Sequence, residues 1–124
     1  MIQIDYQDRR PIYEQIVEKI QVLIFKGVLE SETQLPSVRK MAIDLSINPN
    51  TIQKAYNQLE MMGLIYSVKG RGSYISPNLN VIDLQIEKYF QELDEVVVKG
   101  FEKGLSLEEI LSQVEVFYGR IEND

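Results

Sequence analysis

Ser46-Ile47-Asn48-Pro49-Asn50-Thr51-Ile52-Gln53-Lys54-Ala55-Tyr56-Asn57-Gln58-Leu59 is the stretch on which the fold of this chain turns. Asparagine before proline marks a helix start. The Asn48 side chain caps a backbone N–H, and Pro49 takes the first helical position, where a missing N–H costs little. From there Ile52, Ala55, Tyr56, Leu59 and Met62 recur at three- and four-residue spacing and form one buried stripe, which Gly63 terminates. The positions left facing outward, Asn50, Thr51, Gln53 and Lys54, are polar and include no acid.

Working upstream, Ser46-Ile47-Asn48 is a tight turn that joins this helix to a shorter one. That helix starts at Leu35-Pro36-Ser37, with Ser37 as its N-cap, and buries Val38, Met41, Ala42 and Leu45. Before it lies a polar loop, Glu30 to Gln34. An earlier helix opens at Arg10-Pro11-Ile12, buries Ile12, Ile16, Ile20, Leu23 and Ile24, and stops at Gly27. Downstream, Leu64–Val68 and Ser73–Ile75 are β-prone runs around Lys69-Gly70-Arg71-Gly72, which reads as a hairpin. The expected fold is mainly α with a small β-hairpin (α+β). It comprises a winged helix-turn-helix over residues 1–76, a linker at 77–80, and a two-helix C-terminal dimerisation region over 81–124.

Composition narrows the chemistry. The chain has 124 residues and neither cysteine nor histidine. Disulfides, thiolate or imidazole metal sites, and Ser-His or Cys-His nucleophile pairs are therefore excluded within one chain. No cofactor, metal site or enzymatic activity is expected. No apolar run approaches the ~20 residues of a membrane span, and the N-terminus does not resemble a secretory signal, so a cytoplasmic location is the expectation. The net charge of −6 argues against nucleic acid only when taken whole. Through Ser76 nine bases face eight acids; from Pro77 onward four bases face eleven acids. Such asymmetry separates two functional halves, the first able to approach phosphate and the second repelled by it.

In a winged helix-turn-helix, the third helix enters the major groove of DNA with its N-terminal residues at base edges. Asn50 and Gln53 suit bidentate pairing with adenine, and Thr51 suits bases, phosphate or a thymine methyl. Lys54 adds a cation, and the helix N-terminus adds backbone N–H groups for a phosphate. Arg39 stands in the first turn of the second helix, where a cation opposes the helix dipole. A partner anion accounts for it. Lys69 and Arg71 flank Gly70 at the hairpin tip, where a cationic wing tracks phosphates or reaches into the minor groove. Each of these residues also has a purely structural account, as a cap (Asn48 above all), a solvated charge, or a turn that needs glycine. Tyr56, Tyr66 and Tyr74 are expected to pack rather than stack on bases. Arg9 and Arg10 are expected to be ordinary surface charges.

Two further helices follow the linker. The first, about Val81 to Lys103, carries Ile86, Phe90, Leu93, Val97 and Phe101 on an apolar face, and Gly104 stops it. Ser106 and Glu109 form a capping box for the last helix, which carries Ile110, Leu111, Val114 and Phe117. Two helices cannot cover two broad apolar stripes by themselves, and a symmetric second copy is the commonest cover. Packing back onto the N-terminal half is the alternative.

The motifs Pro11-Ile12-Tyr13-Glu14-Gln15-Ile16, Leu35-Pro36-Ser37-Val38-Arg39, Asn48-Pro49-Asn50-Thr51-Ile52-Gln53-Lys54-Ala55-Tyr56, Leu59-Glu60-Met61-Met62-Gly63-Leu64-Ile65 and Gly70-Arg71-Gly72-Ser73-Tyr74-Ile75 resemble the DNA-binding domain of the GntR family of bacterial repressors. The Asn-Pro-Asn-Thr run and the short tail are similar to its YtrA-like subfamily. The resemblance implies a homodimer on an inverted-repeat operator in double-stranded DNA. It assigns DNA contact to Arg39, to Asn48, Asn50, Thr51 and Gln53, and to Lys69, Gly70 and Arg71. Many relatives carry arginine where this chain has Pro49, so a base contact made there does not carry over. Any small-molecule effector is unknown. A winged-helix protein-interaction module without specific DNA binding is the alternative, and it would show a recognition face blocked by acids or bulky apolar groups.

Overall fold

A computed structural model describes residues 2–77 and 80–123. The elements run α1 (Ile12–Phe25), α2 (Val38–Leu45), α3 (Pro49–Met61), β1 (Ile65–Val68), β2 (Gly72–Ile75), α4 (Asn80–Glu102) and α5 (Leu107–Asn123). They fall into two compact units, Met1–Asp83 and Leu84–Asp124. Three helices and a hairpin followed by two helices match the expected fold class.

In the first unit, the stripe read from the sequence is the centre of the core. Ile52, Ala55 and Leu59 of α3 are wholly inaccessible, and they pack with Ile16 and Ile20 of α1, Met41 and Ala42 of α2, and Ile65 and Ile75 of the hairpin. Ser37 caps α2 by accepting from the Lys40 N–H at 3.0 Å, and Asn48 caps α3 by accepting from the Asn50 N–H at 2.8 Å. Between these helices the chain reverses at Ser46, whose φ of +55° lies in the left-handed region. The Ser46 and Ile47 N–H groups close the end of α2 on the carbonyls of Ile43 and Ala42.

Tyr56 ties α3 to the start of α2. It is 3% exposed, and its hydroxyl donates to the Pro36 carbonyl at 2.7 Å. Burial pushes its pKa up to about 12. Packing, as expected, is its role here.

Three features depart from the sequence reading. Pro11 sits at the N-cap of α1, one place before the helix, rather than within its first turn. Gln15, outside the apolar stripe read for this helix, is buried and bonds to backbone: its Oε1 accepts from the Asp5 N–H and its Nε2 donates to the Asp5 carbonyl, both at 3.0 Å. It clasps the N-terminal segment against α1, which lets Ile2 join the core. The third departure is the polar loop at Glu30–Gln34. There, the Glu32 and Leu35 N–H groups donate to the Ile75 and Ser73 carbonyls, and the Ile75 N–H donates to the Thr33 carbonyl, each at 2.9 Å. This segment lies along the free edge of β2, whose other edge pairs antiparallel with β1 in the register Ile65↔Ile75 to Val68↔Gly72. Backbone pairing of this kind leaves no trace in the side-chain pattern.

α4 starts at Asn80, the last residue assigned to the linker from sequence; Asn78 and Leu79, also assigned to it, lie outside the described residues. Ile82 packs against the core, which carries the first unit to Asp83. In the second unit the capping box forms as read: the Glu109 N–H donates to the Ser106 hydroxyl at 3.1 Å, and the Ser106 N–H donates to Glu109 Oε1 at 3.2 Å. Gly100 is buried, and a Cβ there would stand 3.2 Å from Ile110 Cδ1, so its lack of a side chain sets how closely α4 and α5 meet. Among the described residues, no helix is long and apolar enough to cross a membrane.

Replacing Tyr56 by Phe removes the bond to Pro36 and should lower unfolding stability by about 1 kcal/mol in urea titrations. The sign with pH follows from the raised pKa. The neutral phenol is favoured in the fold, so its contribution is complete below pH 10 and fades as pH climbs toward 12. Wild type should therefore lose stability over that window more steeply than Tyr56→Phe.

Candidate nucleic-acid interface

α3 presents the outward edge expected of it. Asn50, Gln53 and Lys54 are exposed and Thr51 is half-buried. The nearest acid on the helix is Glu60, in its last turn, where it accepts from the Ser67 hydroxyl of β1 at 3.3 Å. Lys54 has a structural partner: its ammonium lies 4.0 Å from the centroid of the Tyr13 ring on α1. Asn57 was missed in the sequence. It accepts from Gln53 Nε2 at 2.8 Å, which holds that amide in one orientation. The signal was available, since Asn57 stands four residues after Gln53 and seven after Asn50, on the same face.

The helix end with open N–H groups is on α2, not on α3. On α3 the first-turn donors are spent: Pro49 has none, the Asn50 N–H goes to the Asn48 side chain, and the Thr51 and Ile52 N–H groups go to the Asn48 carbonyl at 3.0 and 3.3 Å. The expectation of free N–H groups there is corrected, because the cap that starts this helix also saturates it. On α2, Ser37 takes the Lys40 and Met41 N–H groups, while those of Val38 and Arg39 have no acceptor among the described residues. The first turn of α2 carries no acid. Arg39 is exposed and forms no ion pair among the described residues, whereas its neighbour Lys40 is bound to Asp44 at 3.3 Å. A guanidinium beside two open N–H groups is a phosphate-binding arrangement.

The wing is a three-residue loop. The Arg71 N–H donates to the Val68 carbonyl at 2.9 Å, with Gly70 at the third place of the turn and a φ of +79°. A positive angle there belongs to a type II turn, which favours glycine. Lys69 and Arg71 are exposed and free of ion pairs among the described residues. Gln34 braces the tip: its Nε2 donates to the Arg71 carbonyl at 2.7 Å. Through Gln34 and Leu35 the wing is bonded to the segment that runs into Ser37 and Arg39. Tyr66 and Tyr74 stack on the sheet, with centroids 5.7 Å apart. The Tyr66 hydroxyl donates to Glu32, which pushes its pKa up. Both rings pack, as read.

Arg10 is neutralised by Asp8, at 2.7 Å, and by Glu18. Hydrogen bonds from Arg10 hold the Asp8 carboxyl below its ordinary range. Arg9 is exposed. In the second unit the residues assigned to dimerisation form no buried core. Ile86, Phe90, Val97, Phe101, Leu111, Val114 and Phe117 are exposed, and Leu93 and Ile110 are half-buried.

A helix-turn-helix followed by a short sheet with a cationic tip is a winged-helix architecture. Residues 12–75 match the family described as bacterial regulatory proteins, gntR family. The chain belongs to that family. It is 38% identical over 112 residues to the HTH-type transcriptional repressor YtrA of Bacillus subtilis, covering 89% of this chain and 86% of the relative. Among solved structures it is similar to a GntR family transcriptional regulator from Listeria monocytogenes, with 35% identity, a TM-score of 0.72, and coverage of 90% of this chain and 97% of the other. AraR(DBD), solved in complex with operator ORE1, is 27% identical with a TM-score of 0.53, over 60% of this chain and 90% of that one.

Gly72 tests the brace on the wing. Its φ is +116°, and a Cβ would meet Gln34 Nε2 at 3.1 Å. Gly72→Ala should lower stability by about 1–2 kcal/mol and speed amide exchange at Arg71. Gln34→Ala should speed that exchange with a smaller loss of stability.

Proposed function

We propose that this chain is a sequence-specific DNA-binding transcription regulator, acting as a repressor, that binds an inverted-repeat operator as a homodimer. The observation that carries the reading is the outward face of α3, free of acids from Asn50 to Asn57, in one compact unit with an unpaired Arg39 on an open helix end and an unpaired cationic wing. α3 lies in the major groove. Asn50, Thr51 and Gln53 meet base edges, with Gln53 steadied by Asn57. Arg39 and the free N–H groups of α2 hold one phosphate, and Lys69 and Arg71 hold the strand beside the wing. Asn48 acts mainly by capping α3, and Lys54 supplies a cation from its seat on Tyr13. Repression draws support from the name of the Bacillus subtilis relative.

The uncovered apolar faces of α4 and α5 support self-association. A second copy buries Phe90, Leu93, Val97, Leu111 and Val114 and sets two recognition helices about one turn of DNA apart. The acids of this half keep it off the duplex.

Each phosphate contact removed should reduce the slope of log affinity against log salt by about one. Arg39→Ala should thus flatten the slope by about two per dimer, and Lys69→Ala with Arg71→Ala by about four. Fluorescence anisotropy on a site selected from random DNA measures this, and unchanged slopes in both variants would defeat the assignment. Phe90→Asp with Val97→Asp should shift the wild-type dimer to monomer in analytical ultracentrifugation and lower operator affinity. A wild type that sediments as a monomer at micromolar concentration would refute the dimer.

A further inference from the structure

Pro49 is the residue that the recognition scheme leaves without a task. It is exposed at the first position of α3, has no N–H, and sits where the other first-turn donors are already spent. The leading end of the helix therefore offers no main-chain donor to a phosphate or a base, only the side chains of Asn50 and Thr51. On the side next to α2 it is apolar beyond the proline itself. Pro49, Ile43, Ala42 and Ile47 line a shallow depression, together with Arg39 and Ser46. Ile43 is 68% exposed on α2, although an isoleucine there contributes nothing to the core. Arg39 on the rim supplies the charge that would seat a DNA backbone against this depression, and the first turns of α2 and α3 contain no acid to oppose it.

Only one group in the major groove matches such a surface. Base edges there offer hydrogen-bond donors and acceptors, and the single apolar group is the C5-methyl of thymine. We propose that Pro49 and Ile43 form a thymine-methyl reader at the front of α3, making them specificity-determining residues. This rests on the DNA-binding reading above. A base pair presenting cytosine at the same place would leave the depression facing a hydrogen or a polar edge, so the operator carries thymine there.

The test uses the full-length protein and the site enriched from random DNA. Each thymine is replaced singly by deoxyuridine, which removes the methyl and alters nothing else in the groove. Wild type should lose affinity about fourfold at one or two thymines per half-site, the fold-change expected for one methyl-sized group withdrawn from an apolar contact. In Pro49→Ala and in Ile43→Ala that penalty should shrink or vanish at the same thymine, while deoxyuridine elsewhere remains silent. Circular dichroism and unfolding curves check that the variants fold, and Ile43→Val provides a milder change at the same place. If wild type enriches a site but binds its deoxyuridine forms equally well, or if both variants keep the full penalty, the methyl reader is overturned and DNA recognition stands. If no site is enriched, the DNA-binding reading falls and the methyl reader falls with it.

Discussion

The hydrogen bond from the Tyr56 hydroxyl to the Pro36 carbonyl is the joint on which this molecule depends. It connects the middle of α3 to the residue just before the α2 cap. The side chain that makes it belongs to the stripe of Ile52, Ala55 and Leu59 that fills the core. One buried face thus does two things. It supplies the apolar area that holds three helices together, and it fixes where the start of α2 stands relative to α3. Arg39 and the open N–H groups of Val38 and Arg39 are placed by that joint. So is the depression beneath Pro49, which has walls on both helices.

Capping decides which parts of this surface remain reactive. Asn48 and Pro49 start α3 so completely that its amide donors are used up, and what remains at its tip is side-chain chemistry. Ser37 caps α2 less fully and leaves two donors exposed beside a cation. The two ends of the helix-turn-helix consequently differ in chemistry, one offering main-chain donors beside a guanidinium and the other side-chain amides and a hydroxyl. Elsewhere in the first unit Arg10 is paired with Asp8 and Glu18, and Lys40 with Asp44. Arg39, Lys69 and Arg71 form no ion pair among the described residues, as is also true of Arg9, Lys19, Lys26 and Lys54, and are set apart by their places at the start of α2 and on the wing.

Much of the fold was legible because the helices are short, well capped and amphipathic. Asn48-Pro49, Ser37 and the Ser106–Glu109 box each mark a helix start by side-chain chemistry, and the three- and four-residue recurrence of Ile, Leu and Val marks the buried faces. The hairpin was legible from the two glycines of its loop. Features built from backbone or from polar burial were not. The pairing of Glu32–Leu35 with β2 involves main-chain groups that every residue carries. Gln15 looks like a surface residue until its partners, the Asp5 and Arg10 backbone, are known. For the candidate interface, residue types and helix positions were readable, but occupancy was not. That Lys54 rests on Tyr13, that Asn57 steadies Gln53, and that the donors of α3 are consumed are all matters of distance.

The backbone bonds that join Thr33 and Leu35 to Ser73 and Ile75 have a consequence for how the chain acquires this shape. They connect points some forty residues apart, as distant along the chain as Lys54 of α3 is from the Tyr13 ring on α1, whereas β1 and β2 are joined by a short turn. Closing so large a loop is entropically costly and is rewarded only once both ends are already positioned. The kinetic order that follows is single helices and the β1–β2 hairpin first, with the docking of α1 on α3 and the pairing of the Glu32–Leu35 segment with β2 later. On this account the hairpin is made early but is locked to the start of α2 only when the hydrophobic centre closes.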